Sequence, residues 1–213
     1  MSGESPLCDA CAESLYPTGP ACSLCAEPRE VAVSQCPRCR RRPPPYRCLI
    51  APYRFGGELA TALRRLKFRD RPDIARILAP LFAPGLTAVA DDVDVAIPVP
   101  LSWRRRLSRG YNQAALLLEY GRKSAGLDVP IERLALRRRV HTQPQSGLSS
   151  NARARNVAGA FDVRARHRHR VADRRVLLFD DIATTGATLA SATRALRRAG
   201  AADVVAMCVA RAG

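Results

Sequence analysis

Val176-Leu177-Leu178-Phe179-Asp180-Asp181-Ile182-Ala183-Thr184-Thr185-Gly186-Ala187-Thr188 is the stretch on which the reading of this chain turns. The four apolar residues 176–179 have the length and composition of a buried parallel strand, and two adjacent carboxylates stand where that strand would end. A strand of this kind delivers its acids to a cleft. Behind them, residues 184–188 pack three hydroxyls and a permissive glycine into a turn that opens a helix over 189–199. The free backbone N–H groups at such a helix start, together with the positive end of its dipole, form a phosphate cradle. Gly200 stops the helix, and 204–209 returns as a second parallel strand.

A phosphorylated sugar needs a nest for its phosphate and, a few ångströms away, acceptors for its vicinal hydroxyls. Asp180 and Asp181 supply those acceptors, and their charge favours the positive charge that develops on the ring during substitution at C1. Ala183, Thr184, Thr185, Gly186, Ala187 and Thr188 form the expected 5-phosphate loop, with the threonine hydroxyls supplementing the backbone donors. The chain has no Gly-x-x-x-x-Gly-Lys loop and no Gly-x-Gly-x-x-Gly after a strand, so a ribose 5-phosphate is a better guess than a nucleoside triphosphate or a dinucleotide. The run closely resembles the phosphoribosyl-diphosphate signature of type I phosphoribosyltransferases: an apolar strand, two acids, three spacers, then Thr-Gly-x-Thr. A bland strand–turn–helix, whose acids merely cap and whose threonines merely turn, does not account for each residue type having a separate job at fixed spacing.

A chain of 213 residues can bury one proper core and a small satellite module. Its 47% hydrophobic content fits a globular protein. The first residues lack a basic segment followed by an apolar run, and no later run approaches the length of a membrane span, so a cytoplasmic location without membrane insertion is expected. The formal net charge of +16 favours polyanionic partners, although a solvated basic surface carries the same charge. Apart from Lys67 and Lys123, every basic residue other than the histidines is arginine.

Cysteine spacing divides the chain. Cys8-x-x-Cys11, Cys22-x-x-Cys25 and Cys36-x-x-Cys39 are pairs separated by ten residues, so the motif recurs every fourteen. In a reducing compartment this reads as thiolate ligation of structural zinc, each knuckle offering two sulfurs to one tetrahedral ion. Four of the six close a site, and the spacing leaves open which four. Cys48 and Cys208 stand in apolar strand-like surroundings and read as core residues.

The Cys-rich module occupies residues 1–45 and ends in Pro43-Pro44-Pro45, a stiff extended boundary before the domain at 46–213. Residues 47–55 read as a strand ending at Gly56-Gly57, 58–68 as an amphipathic helix, 73 to about 82 as a second helix, and 93–99 as a buried strand. A basic turn through Arg109 leads into a helix over 114–124, and residues 137–161 form a polar loop of the kind that closes over a substrate. Residues 164–170 read as an exposed connection in which His167 and His169 have no acidic or cysteine partner nearby in sequence.

In this order the segments resemble the ComF family of competence-related, phosphoribosyltransferase-like proteins. The resemblance rests on Cys36-Pro37-Arg38-Cys39, Leu66-Lys67-Phe68, Pro98-Val99-Pro100-Leu101, Arg109-Gly110-Tyr111-Asn112-Gln113, the stretch 142–161 with Gln145, Leu148, Arg153 and Asn156, and residues 180–188. It departs at Asp70, where relatives commonly carry glycine, and in having three cysteine pairs where many have four. The resemblance implies an α/β fold, a twisted parallel sheet flanked by helices, behind a zinc-ribbon-like module. It further implies catalytic Asp180 and Asp181, Arg109 near the diphosphate, loop residues Gln145, Arg153 and Asn156 beside it, and Mg²⁺ neutralising the leaving group. Phosphoribosyl diphosphate is the implied ligand, with a role in handling incoming DNA. Two functions follow: transfer of a phosphoribosyl group to an unknown nucleophile, or a non-catalytic factor that binds single-stranded DNA, joins the DNA-uptake machinery and uses the fold as a ligand sensor.

Overall fold

The computed structural model describes residues 7–68, 71–101, 110–139 and 159–212. In chain order these form α1 (Asp9–Glu13), α2 (Pro37–Arg41), β1 (Leu49–Ile50), β2 (Tyr53–Arg54), α3 (Gly57–Phe68), α4 (Asp73–Thr87), β3 (Val95–Pro98), α5 (Gln113–Ser124), β4 (Leu136–Arg138), β5 (Phe161–Val163), β6 (Arg175–Ala183), α6 (Ala187–Arg198) and β7 (Asp203–Arg211). The sheet is parallel in the order β1-β7-β6-β3, with β2 continuing the β1 edge along β7. The single strand expected over 47–55 is two short ones, separated by Ala51 and Pro52. Residues 16–18 cover this edge: Pro17 bridges Tyr53, and the Thr18 hydroxyl donates to the Ala51 carbonyl at 2.5 Å.

Side-chain alternation along β6 explains why its apolar run is unbroken. Val176 and Leu178 pack on one face with Val95, Ile97, Val204, Ala206 and the buried side of α6, while Leu177 and Phe179 pack on the other with Val205, Met207 and helices α3, α4 and α5. Both faces are covered, so no position on that segment faces water. Cys208 is fully buried, as its strand position predicts, and burial pushes its thiol up to about 12. Cys48 is half-buried against the helical face.

Strand β6 runs past the point at which the acids were expected to stand. It continues through Asp180 and Asp181 to Ala183 because β7 reaches Arg211 and pairs with it all the way. On its other side β3 ends at Pro98, opposite Phe179. The chain leaves β3 through α5 and returns at Ile131, which bridges Ala96 on the outer edge, whereas it leaves β6 through α6 to β7 on the opposite side. The connections therefore diverge between β3 and β6, and a crevice opens at the carboxyl ends of these strands, the usual ligand position in open parallel sheets.

Helix α4 continues to Thr87, beyond its expected end near residue 82, with Pro80 and Pro84 inside it. Four residues apart, both prolines lie on the exposed face, where the carbonyls they deprive of a partner meet water. The buried face, which includes Leu78, Phe82 and Leu86, holds the helix together. Helix α5 approaches closely because Gly121 faces Phe82 and Leu86; a Cβ at that position would overlap the Phe82 ring. Gly121→Ala should lower stability by about 1–3 kcal/mol in urea unfolding through overpacking. A midpoint equal to that of the unchanged protein would mean that the helices separate without cost.

Candidate functional site

The crevice has a volume of about 370 Å³ and is lined on its floor by Asp180, Asp181, Ile182, Ala183, Thr184, Gly186, Ala187 and Thr188. The acids and the expected phosphate loop thus share one cleft. Gly186 takes φ +76°, a left-handed conformation that gives glycine a reason to stand at the mouth of α6. The Thr185 hydroxyl accepts from the N–H of Ala187 at 3.3 Å, so this side chain serves the helix start. Gly186 caps α6, so the positive end of that helix's dipole lies beside the cleft.

Asp181 is 7% exposed and pairs with Lys67, whose Nζ lies 2.6 Å from Oδ2, while its Oδ1 accepts from the N–H of Ile182 at 2.8 Å. Asp180 accepts from the N–H of Asp181 at 2.9 Å and keeps part of its surface open to the cleft. Burial among protein atoms, and then the charge of Asp181, push the Asp180 carboxyl up to about 8, against a lowering pull from Lys67. Lys67 comes from the end of α3, and its place is set by a second motif: the Tyr111 hydroxyl donates to the Leu66 carbonyl at 2.5 Å. Asn112 then caps α5 by accepting from Ala114 at 3.1 Å and donates to the Val99 carbonyl at 3.0 Å. The Tyr-Asn part of the Arg-Gly-aromatic-Asn-Gln motif therefore ties the end of α3, the end of β3 and the start of α5 together around the cleft.

Arg64 and Arg138 also line the cleft, stacked over Phe55 and Phe161 with guanidinium-to-ring distances of 5.4 Å each. Reading the chain alone did not assign Lys67 to the site. Two signals were available: its rarity, since it is one of two lysines among 35 lysine and arginine residues, and its place in the Leu66-Lys67-Phe68 motif. Arg109, Gln145, Arg153 and Asn156 lie outside the described residues. His167 does have an acidic neighbour, Glu132 at 3.7 Å, which sequence distance concealed.

The structure brings together Cys22, Cys25, Cys36 and Cys39, with all four sulfurs within 4.8 Å of one another. Each residue is at most 2% exposed. The Cys25 and Cys36 sulfurs are 3.8 Å apart, and a tetrahedron with Zn–S bonds of about 2.3 Å has edges of about that length. The N–H of Cys36 donates to the Cys22 sulfur at 3.3 Å. The donor number, softness and closure suit structural zinc. Cys8 and Cys11 flank and enter α1 outside this group, and Cys8 is exposed.

A parallel sheet with acids and a phosphate-type loop at its switch point has the architecture of the type I phosphoribosyltransferases, and residues 117–213 match the phosphoribosyl transferase domain family. Over nearly its whole length the chain is also similar to Competence protein F of Haemophilus influenzae, with 32% identity over 97% of this chain and 90% of that protein. DNA utilization protein YhgH of Escherichia coli K12 is 30% identical over 98% and 92% of the two chains, and Competence protein ComFC of Bacillus subtilis is 30% identical over 96% and 83%. The chain belongs to the ComF family. Among the described residues, no helix is long and apolar enough to cross a membrane.

The raised Asp180 carboxyl links stability to pH. Folding favours its protonated form, a contribution fully present below the unfolded value of about 4 and lost as pH rises through the folded value. Asp180→Asn should therefore melt above the unchanged protein at pH 8.5, by several degrees at roughly 2–4 °C per kcal/mol, and the gap should close as pH falls toward 4. A gap independent of pH would contradict a raised acid.

Proposed function

We propose that the cleft binds phosphoribosyl diphosphate and transfers its 5-phosphoribosyl group to a nucleophile. The observation that carries this reading is the meeting of Asp180 and Asp181 with the 184–188 loop in one switch-point crevice. The acids accept hydrogen bonds from the ribose hydroxyls, and the loop N–H groups hold the 5-phosphate. As the C1–O bond to diphosphate breaks, diphosphate leaves with the electron pair and the nucleophile forms the new bond to C1. The paired carboxylates favour the positive charge that develops between these events. Lys67 holds Asp181 in place while the cleft is free. Mg²⁺, when bound with the ligand, would neutralise the diphosphate, and the cleft carboxylates suit such a hard ion. In the same reading the four-cysteine cluster holds one structural zinc in a module of residues 1–45, ahead of a transferase-like domain at 46–213. Replacing Asp180 and Asp181 together by Asn should weaken phosphoribosyl-diphosphate affinity at least 100-fold by calorimetry, about two charge-assisted contacts. Affinity unchanged in that variant would defeat the assignment.

A second reading, in which the protein acts on DNA, draws on the relatives named for competence and DNA utilization and on a specific surface. Arg194 on α6 has its pKa lowered by partial burial and then by the positive charges of Arg42 and Arg198, so residues of the Cys module and of α6 crowd like charge together. The Arg168 guanidinium donates to the Arg198 carbonyl at 3.3 Å, extending the strip. Crowded arginines held on a surface suit a polyphosphate backbone. Single-stranded DNA should bind with little sequence preference, and replacing Arg42, Arg194 and Arg198 by Ala should weaken binding and flatten its salt dependence by about two to three counterions. An unchanged slope in a salt titration would move DNA contact to another face.

A further inference from the structure

The cysteine cluster lies directly behind the phosphate loop, and two arginines join them. Arg38, inside the Cys36-x-x-Cys39 knuckle, donates from Nη1 to the Thr185 carbonyl at 3.0 Å. Its other end faces the cluster, where it interacts with the Cys25 sulfur and lies 3.8 Å from Glu27. Arg211, at the end of β7 and 3% exposed, donates from Nε to the Cys25 carbonyl at 3.2 Å and from Nη1 to the Ala183 carbonyl at 3.2 Å. Tyr46, just after the proline run, closes the gap: its hydroxyl lies 3.0 Å from where a Cβ on Gly186 would stand.

These contacts all fall on carbonyls or on the back of the loop. In a trans peptide the N–H points opposite to the C=O. The Ala183 carbonyl, which accepts from the backbone N–H of Ala212 at 2.8 Å as well as from Arg211, turns the N–H of Thr184 the other way, and holding the Thr185 carbonyl toward Arg38 does the same for Gly186. The donors that would meet a phosphate are thereby aimed before a ligand arrives, which removes an ordering cost from binding. A left-handed Gly186 is the position most in need of such support, since glycine has the greatest freedom to lose.

We infer that Arg38 and Arg211 are positioning residues through which the cysteine cluster sets the aim of the phosphate loop. The inference rests on the ligand reading above for its affinity readout, whereas its exchange readout does not require ligand. The cluster gives both arginines a fixed seat: Arg38 belongs to one knuckle and Arg211 is bonded to the carbonyl of another.

The test uses the full-length, zinc-loaded protein and Arg38→Met, which keeps the aliphatic stem. Zinc content by elemental analysis should equal that of the unchanged protein, and amide hydrogen exchange over residues 184–188, measured without ligand, should accelerate at least fivefold in the variant. Affinity for ribose 5-phosphate should fall about tenfold, as loss of one charge-assisted hydrogen bond predicts, while affinity for magnesium diphosphate changes less than twofold. Arg211→Met should show the same effect at smaller size, because the Ala212 N–H still holds the Ala183 carbonyl; if that buried replacement fails to fold, Arg38→Met decides alone. Unchanged exchange over 184–188 in Arg38→Met would overturn the proposal, as would equal losses for both ligands. If the unchanged protein binds neither ligand, the phosphoribosyl reading fails, and the exchange measurement still decides whether the arginines position the loop.

Discussion

Strand β3 stops opposite Phe179 and strand β6 does not. From that mismatch in length comes a stretch of β6 that, among the described residues, is paired on one side only, and on that stretch stand Asp180 and Asp181. Had β3 run two residues further, its backbone would cover the acids and the cleft would close. The diverging connections enforce the gap, because the chain turns away from β3 toward Ile131 on one side and from β6 toward β7 on the other. Apolar burial on both faces of the strands then makes the frame rigid enough to hold two carboxylates side by side.

Two adjacent acids at the edge of a core repel, and the molecule answers with Lys67. The 2.6 Å pair with Asp181 places a cation beside the acids without filling the cleft. Lys67 depends in turn on the Tyr111 contact to Leu66, so helix α3, the start of α5 and the end of β3 form one support around the site. Removing one partner of a buried ion pair costs far more than the pair contributes, which is why the lysine belongs to the description of the site although it stands on a different element from the acids.

The cysteine module is bound into the same frame. Its four sulfurs form a compact buried group with little other apolar support, so this small unit has no large core of its own. Arg38 bonds to the Thr185 carbonyl, Arg211 bonds to the carbonyls of Cys25 and Ala183, and Tyr46 stands beside Gly186. A chain with net charge +16 therefore directs some of its arginines inward, to carbonyls, while others crowd together near Arg194.

The local alphabet of residues 176–188 by itself determined the parallel-strand reading, the paired acids and the phosphate-type turn, because strand burial, left-handed glycine and helix opening are each fixed by neighbours within a few residues. The cysteine spacing likewise announced a thiolate site. Tertiary structure alone decided that β6 continues through its acids, since strand length depends on whether β7 is there to pair. It also decided which four cysteines meet, that Lys67 reaches Asp181, and that Arg211 lies buried behind Ala183. These contacts join segments far apart in the chain, and no periodicity or spacing encodes them; they exist only once the sheet order has brought the ends of β3, β6 and β7 to one side of the molecule.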